Sequence, residues 1–227
     1  MVNKKQQFQS LVIGGTGATG KCLLELLLKN EKCKKVTHIG RSPSEIDYKG
    51  DKLVDITIES MFFINRTKSY WLENDIFFNC IGTTRSRAGS AKSFVDIELG
   101  ISKIAARMAS ESKIKHASLI SAQGANPNKW GPEFVHPLLY LKTMGEKEQT
   151  ITSDFSFNSV SIFRPGFLNR SSNNNPKLID KLIKSFSLPV YQLAKAMMLD
   201  AEKSIFNPAS SKKINFYEGN QKIKNMF

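Results

Sequence analysis

The chain has 227 residues, about the length of a single domain, and 41% of them are hydrophobic, which allows a sizeable core and excludes an intrinsically disordered chain. Lys and Arg number 33 against 20 Asp and Glu, for a formal net charge of +13, yet no basic run is longer than a pair such as Lys4–Lys5 or Lys34–Lys35. Charge scattered in this way reads as a solvated surface and speaks against a nucleic-acid partner, whose footprint needs clustering.

The longest apolar runs are too short for a transmembrane segment, and residues 1–9 lack the apolar stretch of a secretory signal. Cys22, Cys33 and Cys80 show no metal-ligand spacing. Cys22 and Cys80 lie in apolar runs and are expected as buried thiols, which fits a reducing compartment. The expected location is cytoplasmic, with the nucleus and the mitochondrial surface left open. His38, His116 and His136 form no metal pattern, and His116, just ahead of a strand, is expected at a surface or an edge.

In chain order, residues 10–13 are a short apolar run ending in glycines and read as a buried strand. From Lys21 to about Asn30 the apolar positions form a broad helical face. Residues 36–39 read as a second strand, ended by Gly40-Arg41-Ser42-Pro43. Residues 53–56 give a third strand, and residues 75–81 a fourth, stopped by Gly82. Phe94, Ile97, Ile101, Ile104 and Met108 then recur at intervals of three and four, one face of a long helix. A fifth strand is expected over residues 117–121, a helix over 138–150 and a sixth strand over 159–163, closed by Arg164-Pro165-Gly166. Residues 169–176 read as a polar loop, 178–186 and 190–202 as helices, and 214–217 as a last strand.

Strands alternating with helices predict right-handed crossovers and an α/β Rossmann fold: a doubly wound, mainly parallel sheet with helices on both faces. Residues 1–227 are expected to form one dinucleotide-binding domain, with its core at about 8–168 and a small C-terminal cap at about 169–227.

The sharpest signal is Gly14-Gly15-Thr16-Gly17-Ala18-Thr19-Gly20, between the first strand and the first helix. It satisfies G-x-G-x-x-G through Gly15, Gly17 and Gly20, and G-x-x-G-x-x-G through Gly14, Gly17 and Gly20. Such glycines allow a tight turn, a close approach of backbone to a pyrophosphate and close packing of helix on strand. The free N–H groups and the dipole of the helix start favour the phosphate charge. At the end of the second strand, where an acid would bind ribose hydroxyls, the first charged residue is Arg41, followed by Ser42. A guanidinium there suits a 2′-phosphate, so the expected ligand is NADP(H) in preference to NAD(H). Asp55, after the third strand, is a candidate acceptor for the adenine amino group.

The segment Cys80-Ile81-Gly82-Thr83-Thr84-Arg85-Ser86-Arg87-Ala88-Gly89 resembles the C-L-G-T-T-R-x-x-A-G segment of the Tat-interactive oxidoreductase-like group, an atypical branch of the short-chain dehydrogenase/reductases. Further likeness runs in order through Ile39-Gly40-Arg41, Ser121 to Gly124-Ala125, Tyr140-Leu141 with Gly145-Glu146, Phe163-Arg164-Pro165-Gly166, and Pro189-Val190 into Ala196-Met197. The resemblance covers nearly the whole chain. It implies an NADPH-binding Rossmann domain and roles with a protein partner beyond catalysis. It also implies cofactor contacts at Ile81, Gly82 and Thr83, at Tyr140, and at Pro165 and Gly166.

Short-chain dehydrogenases reduce carbonyls with a hydroxyl, a tyrosine and a lysine four residues after the tyrosine. Tyr140 matches the tyrosine, but Met144 stands at the lysine position. Lys142 is two residues on, about 200° around the helix, and cannot substitute directly. The pair of serines at the end of the fifth strand reads here as Ser121-Ala122, and the catalytic hydroxyl belongs to the second. Neighbouring strand residues face opposite ways, which makes Ser121 a poor replacement. Ser121 and Tyr140 are thus the catalytic candidates of a degraded triad. Two readings follow: an oxidoreductase acting on a small carbonyl compound with altered or lost activity, or a non-catalytic NADPH-binding redox sensor or interaction protein. No metal is expected.

Overall fold

Apolar side chains alternate along β1 (Phe8–Ile13): Leu11 and Ile13 join one buried cluster, Phe8 and Val12 the other. A strand covered on both faces requires this. In a computed structural model of the chain, residues 6–169, 187–210 and 212–226 are described. The same alternation recurs in β4 (Ile76–Asn79) and β6 (Ser159–Arg164). With β2 (Cys33–Gly40), β3 (Leu53–Thr57) and β5 (His116–Ile120), they build the centre of one sheet.

The short strands β7 (Leu168–Asn169) and β8 (Leu188–Pro189) pair only with each other, while β9 (Ile214–Glu218) joins the main sheet. The sheet has seven strands in the order β3-β2-β1-β4-β5-β6-β9. Every pairing is parallel, so the expected doubly wound Rossmann fold is present.

Helix α1 (Ala18–Lys29) covers one face with Leu23, Leu24 and Leu27. The long helix expected around Phe94 is broken into pieces. After the single turn α2 (Arg85–Ala88) come α3 (Ala91–Val95), a π-helical turn Asp96–Gly100, and α4 (Ile101–Glu111). The apolar stripe survives: Phe94, Ile101 and Met108 are buried, and Ile97 and Ile104 are partly so. The wide turn carries a buried glutamate, Glu98, which binds groups described below. Helix α5 (His136–Gln149) continues into a second π-helical turn, Thr150–Asp154.

The tail corrects the expectation of a small cap beside the strand ends. Helix α6 (Val190–Phe206) lays Leu193, Ala194 and Met197 against α1 and its face of the sheet, and β9 extends the sheet beside β6. An apolar stripe of that length needs a sheet face to cover it, and the open edge at β6 needs a strand. The short α7 (Asn220–Lys224) closes the chain. The helix expected over residues 178–186 lies outside the described residues. Among the three free cysteines Cys33 is buried and Cys22, expected to be so, is half-buried; Cys80 is half-buried as a residue, but its thiol is enclosed as expected.

His116 also departs from expectation. It opens β5, which lies between β4 and β6, and it is fully buried. Its Nδ1 lies 2.8 Å from Ser159 Oγ, and its Nε2 lies 3.8 Å from Asp200. Burial pushes its pKa down to about 3, against about 6.5 in an unfolded chain. The folded state therefore favours the neutral ring, and this contribution to stability is complete above the unfolded value and lost as pH falls toward the folded one. Burial acts in the opposite sense on Asp200, holding its carboxyl above the usual range, so its contribution declines as pH rises. His116→Gln isolates the histidine. Between pH 7 and 5 the wild type should lose about 2 kcal/mol more stability than the variant, read by urea unfolding at each pH.

Candidate functional site

β1 exits toward α1 on one face of the sheet, and β4 leads toward α4 on the other. A crevice opens between their C-terminal ends, the topological switch point where this fold binds ligands. Gly14 makes the first turn at φ +75°, and a Cβ there would stand 2.6 Å from the carbonyl carbon of Cys80, just past β4. At Gly20 a Cβ would stand 2.2 Å from the Gly14 carbonyl oxygen. These two glycines let the loop and helix pack onto the sheet. Gly17 differs, for its Cβ would meet only the Gly14 oxygen, at 3.3 Å, and the residue is exposed.

Gly17 precedes α1 without a capping side chain, and no acid stands in the first turn. The first N–H groups of a helix have no partner within it. Here, with no capping side chain among the described residues, they form a neutral-to-positive cradle. The site thus fits a dinucleotide phosphate.

The cleft has a volume of about 650 Å³. Gly17, Ala18 and Thr19 line one end; Ile81, Gly82 and Thr83 line its floor; Ser121, Tyr140, Pro165 and Gly166 line the other end. Gly14, Thr16, Gly20, Arg41, Ser42 and Asp55 are not part of this lining. Arg41 and Ser42 are exposed just past the end of β2.

The Asp55 carboxylate, expected to meet an adenine, is instead occupied inside the chain. It accepts from Ser44 N at 2.8 Å, from Ser44 Oγ at 2.6 Å and from His38 Nδ1 at 2.7 Å. Burial works against its charge, but the hydrogen bonds from Ser44 and His38 outweigh it and hold its pKa below the usual carboxylate range. Asp55 thereby ties the loop that carries Arg41 to β3.

At the far end, Ala122 is buried in one cluster with Phe94, Leu139 and Met144, against which Tyr140 packs. Ser121 Oγ donates to the Glu148 carboxylate. Lys142 points to solvent and pairs with Glu146 at 3.8 Å. Burial pushes the Cys80 thiol up to about 12, so it is no nucleophile at neutral pH.

Several residues at the site escaped the sequence reading. Arg164 Nε donates to Glu148 at 2.9 Å and its Nη1 to Glu218 at 3.1 Å, while Glu218 accepts from Gly124 N at 3.2 Å. This network ties the exit of β5 to β6, β9 and α5. Lys147 and Glu98 form a buried ion pair at 3.1 Å. Both interrupt apolar stripes, Lys147 in the series Tyr140, Met144, Ile151 and Glu98 between Phe94 and Ile101. A charge in such a stripe is a readable signal, because it must find a partner there. Phe167, at the cleft mouth, is 84% exposed. Among the described residues no group of His, Cys, Asp and Glu could hold a metal ion.

A family model described as NAD(P)H-binding matches residues 14–198. The chain belongs to this NAD(P)H-binding family. It is 28% identical over 206 residues to Protein HTATIP2 of Rattus norvegicus, covering 86% of this chain and 81% of that one. It is 31% identical over 160 residues to the mitochondrial Protein FMP52 of Candida albicans, covering 70% of this chain and 66% of the relative. The aligned part thus spans about two thirds of that yeast relative. These matches agree with the resemblance to the atypical short-chain dehydrogenase/reductases.

Solved structures share the fold at low identity. The oxidoreductase ylbE of Lactococcus lactis superposes with a TM-score of 0.66 at 15% identity, covering 96% of this chain and 94% of that one. The Bordetella bronchiseptica enzyme WbmH, solved with NAD+, superposes with a TM-score of 0.67 at 14% identity, covering 93% and 75%. No helix among the described residues is long and apolar enough to cross a membrane.

The glycines separate folding from binding. Gly17→Ala should leave stability within about 1 kcal/mol of wild type, since its methyl meets a single atom, yet it narrows the phosphate cradle. Dinucleotide affinity should fall by about tenfold or more, the loss of one charge-assisted contact. Gly20→Ala should lower the melting temperature itself. Calorimetric titration beside thermal unfolding of both variants checks this.

Proposed function

We propose that the chain is an NADP(H)-binding protein that retains the cofactor cleft of the short-chain dehydrogenases without their serine–tyrosine–lysine relay. The observation that carries this reading is the surroundings of Tyr140. Ala122 and Met144 stand in its apolar cluster at the two positions where the relay needs a hydroxyl and an ammonium. Ser121, Lys142 and Lys147, the neighbouring groups of the right chemistry in sequence, are each paired with a carboxylate. A tyrosine becomes a proton donor near neutral pH when a neighbouring cation lowers its pKa, and that cation is absent from position 144. The bound dinucleotide would supply hydride chemistry, and Tyr140 would hold the one phenolic proton at the cleft end.

Arg41 supports NADP(H) over NAD(H). It is exposed just past the end of β2 on a loop fixed by Ser44 and Asp55, and among the described residues it makes no ion pair or hydrogen bond. A free guanidinium there matches a 2′-phosphate, to which it can bond in bidentate fashion. The ligand's role is then regulatory, with the reduced and oxidised forms favouring different surfaces toward a protein partner. A second reading, carbonyl reduction at low turnover, rests on Tyr140 still lining the cleft.

In calorimetric titration of nucleotide-free protein, NADPH should bind tighter than NADH by about tenfold or more, and Arg41→Glu should remove or reverse the difference. Equal affinity for the two in the wild type would overturn the NADP(H) assignment. Equal affinity for NADPH and NADP+ would overturn the sensing role, because a ligand shifts an equilibrium only by its differential affinity. Tyr140→Phe should leave NADPH oxidation by a panel of carbonyl compounds unchanged; a loss of turnover in that variant would establish the reductase reading instead.

A further inference from the structure

Resting on the cofactor reading above, we infer that Lys147 and Glu98 are a positioning pair that holds the Ile81–Thr83 floor of the cleft in its ligand-binding shape. Tyr140, Met144 and Lys147 follow one another on a single face of α5, at steps of four and three. Lys147 thus lies one turn past the position of the relay lysine, and its ammonium reaches the floor from below. Its Nζ donates to the Ile81 carbonyl at 3.0 Å and to Glu98 Oε2 at 3.1 Å. The other oxygen of Glu98 accepts from Thr83 N at 2.6 Å. The two side chains therefore grip the floor at both ends, one at the carbonyl of Ile81 and one at the amide of Thr83, with Gly82 between them.

Neither charge serves the fold in any cheaper way. The Lys147 and Glu98 side chains are 1% and 3% exposed. A buried ion pair of this kind is often no more stabilising than apolar side chains of similar volume. What the pair supplies that apolar side chains cannot is a fixed path for a glycine-containing segment with no regular structure of its own. The π-helical turn Asp96–Gly100 carries Glu98, and such turns recur at functional sites. Glu98 also lines the cleft together with Ile81, Gly82 and Thr83. Lys147 touches the floor and not the cleft, so it acts through the loop and is a positioning residue.

The test compares the wild type with Lys147→Met and with the double variant Glu98→Gln/Lys147→Met, in which no buried charge is left unpaired and the Thr83 amide keeps an acceptor. Each is titrated with NADPH and with adenosine 2′,5′-bisphosphate, a fragment that carries the 2′-phosphate end and lacks the nicotinamide half. Thermal unfolding and hydrogen exchange at the Thr83 amide are measured without ligand. In the double variant, at wild-type melting temperature, NADPH affinity should fall by about tenfold while fragment affinity holds within about twofold. Thr83 exchange should quicken in Lys147→Met.

Unchanged NADPH affinity in the folded double variant overturns the proposal, as does an equal fall for NADPH and the fragment, which would mean a general loosening. Unchanged exchange at Thr83 in Lys147→Met overturns the anchoring itself. If the wild type binds neither NADPH nor the fragment, the cofactor reading fails before the pair is tested on it, and the two failures stay distinguishable.

Discussion

Between β1 and β4 the chain leaves the sheet toward opposite faces, and the two exits must still pass within van der Waals contact of each other. Gly14 sits against the backbone of Cys80 so closely that a Cβ would overlap it. That approach fixes the glycine loop relative to the floor after β4, and with it the distance from the start of α1 to the far end of the cleft. Everything that lines the cleft is referenced to this junction: Gly17 and Ala18 through the loop, Ile81 to Thr83 through β4, and Tyr140 through an α5 whose Lys147 reaches back to the same floor. The apolar clusters on either face of the sheet provide the rigidity that makes such a junction definite.

Around the far end, polar groups are paired so that little is left over for chemistry. The carboxylate of Glu148 receives both Ser121 and Arg164, and Arg164 in turn reaches Glu218. Glu148's hydrogen bonds hold the guanidinium pKa above its ordinary value, with Glu218 adding to the effect. Moving the Ser121 hydroxyl would leave a buried acceptor under-satisfied. The next residue, Ala122, offers only a methyl to the cluster against which Tyr140 packs. Both contacts are made to α5, Ser121 to its Glu148 and Ala122 within the cluster of Met144 and Leu139, and what distinguishes them is the side chain each position carries.

The order of strands and helices was legible because it is written in local patterns. Glycines end β1, the i, i+3, i+4 stripe of Phe94 to Met108 marks a helix, and the glycine loop joins strand to helix. The tail was less legible. Nothing local distinguishes a helix that caps strand ends from one such as α6 that completes a layer, and nothing local announces that Ile214–Glu218 pairs with β6. His116 was misjudged for the same reason, since its burial depends on β4 and β6 flanking it and not on its neighbours in sequence. At the site, the glycine loop could be read residue by residue. Asp55 could not, because its partners Ser44 and His38 come to it through the pairing of β2 with β3. Lys147 and Glu98 stood in plain view as charges within apolar stripes, and only their tertiary meeting gives them meaning.

The position of that lysine also bears on why Met144 suits this site. An ammonium at 144 would lie one turn from Lys147 on the same face of α5, and like charges at that spacing repel. The counter-charge of Lys147 is Glu98, and both of its oxygens are already engaged, one by Lys147 and one by the Thr83 amide. A second cation would either go unpaired in a buried position or draw Glu98 away from the floor, and both outcomes are costly. An apolar side chain at 144 avoids the conflict and extends the cluster of Ala122, Leu139 and Phe94. The ammonium that grips Ile81 and a second ammonium at 144 would therefore be in conflict on one face of α5.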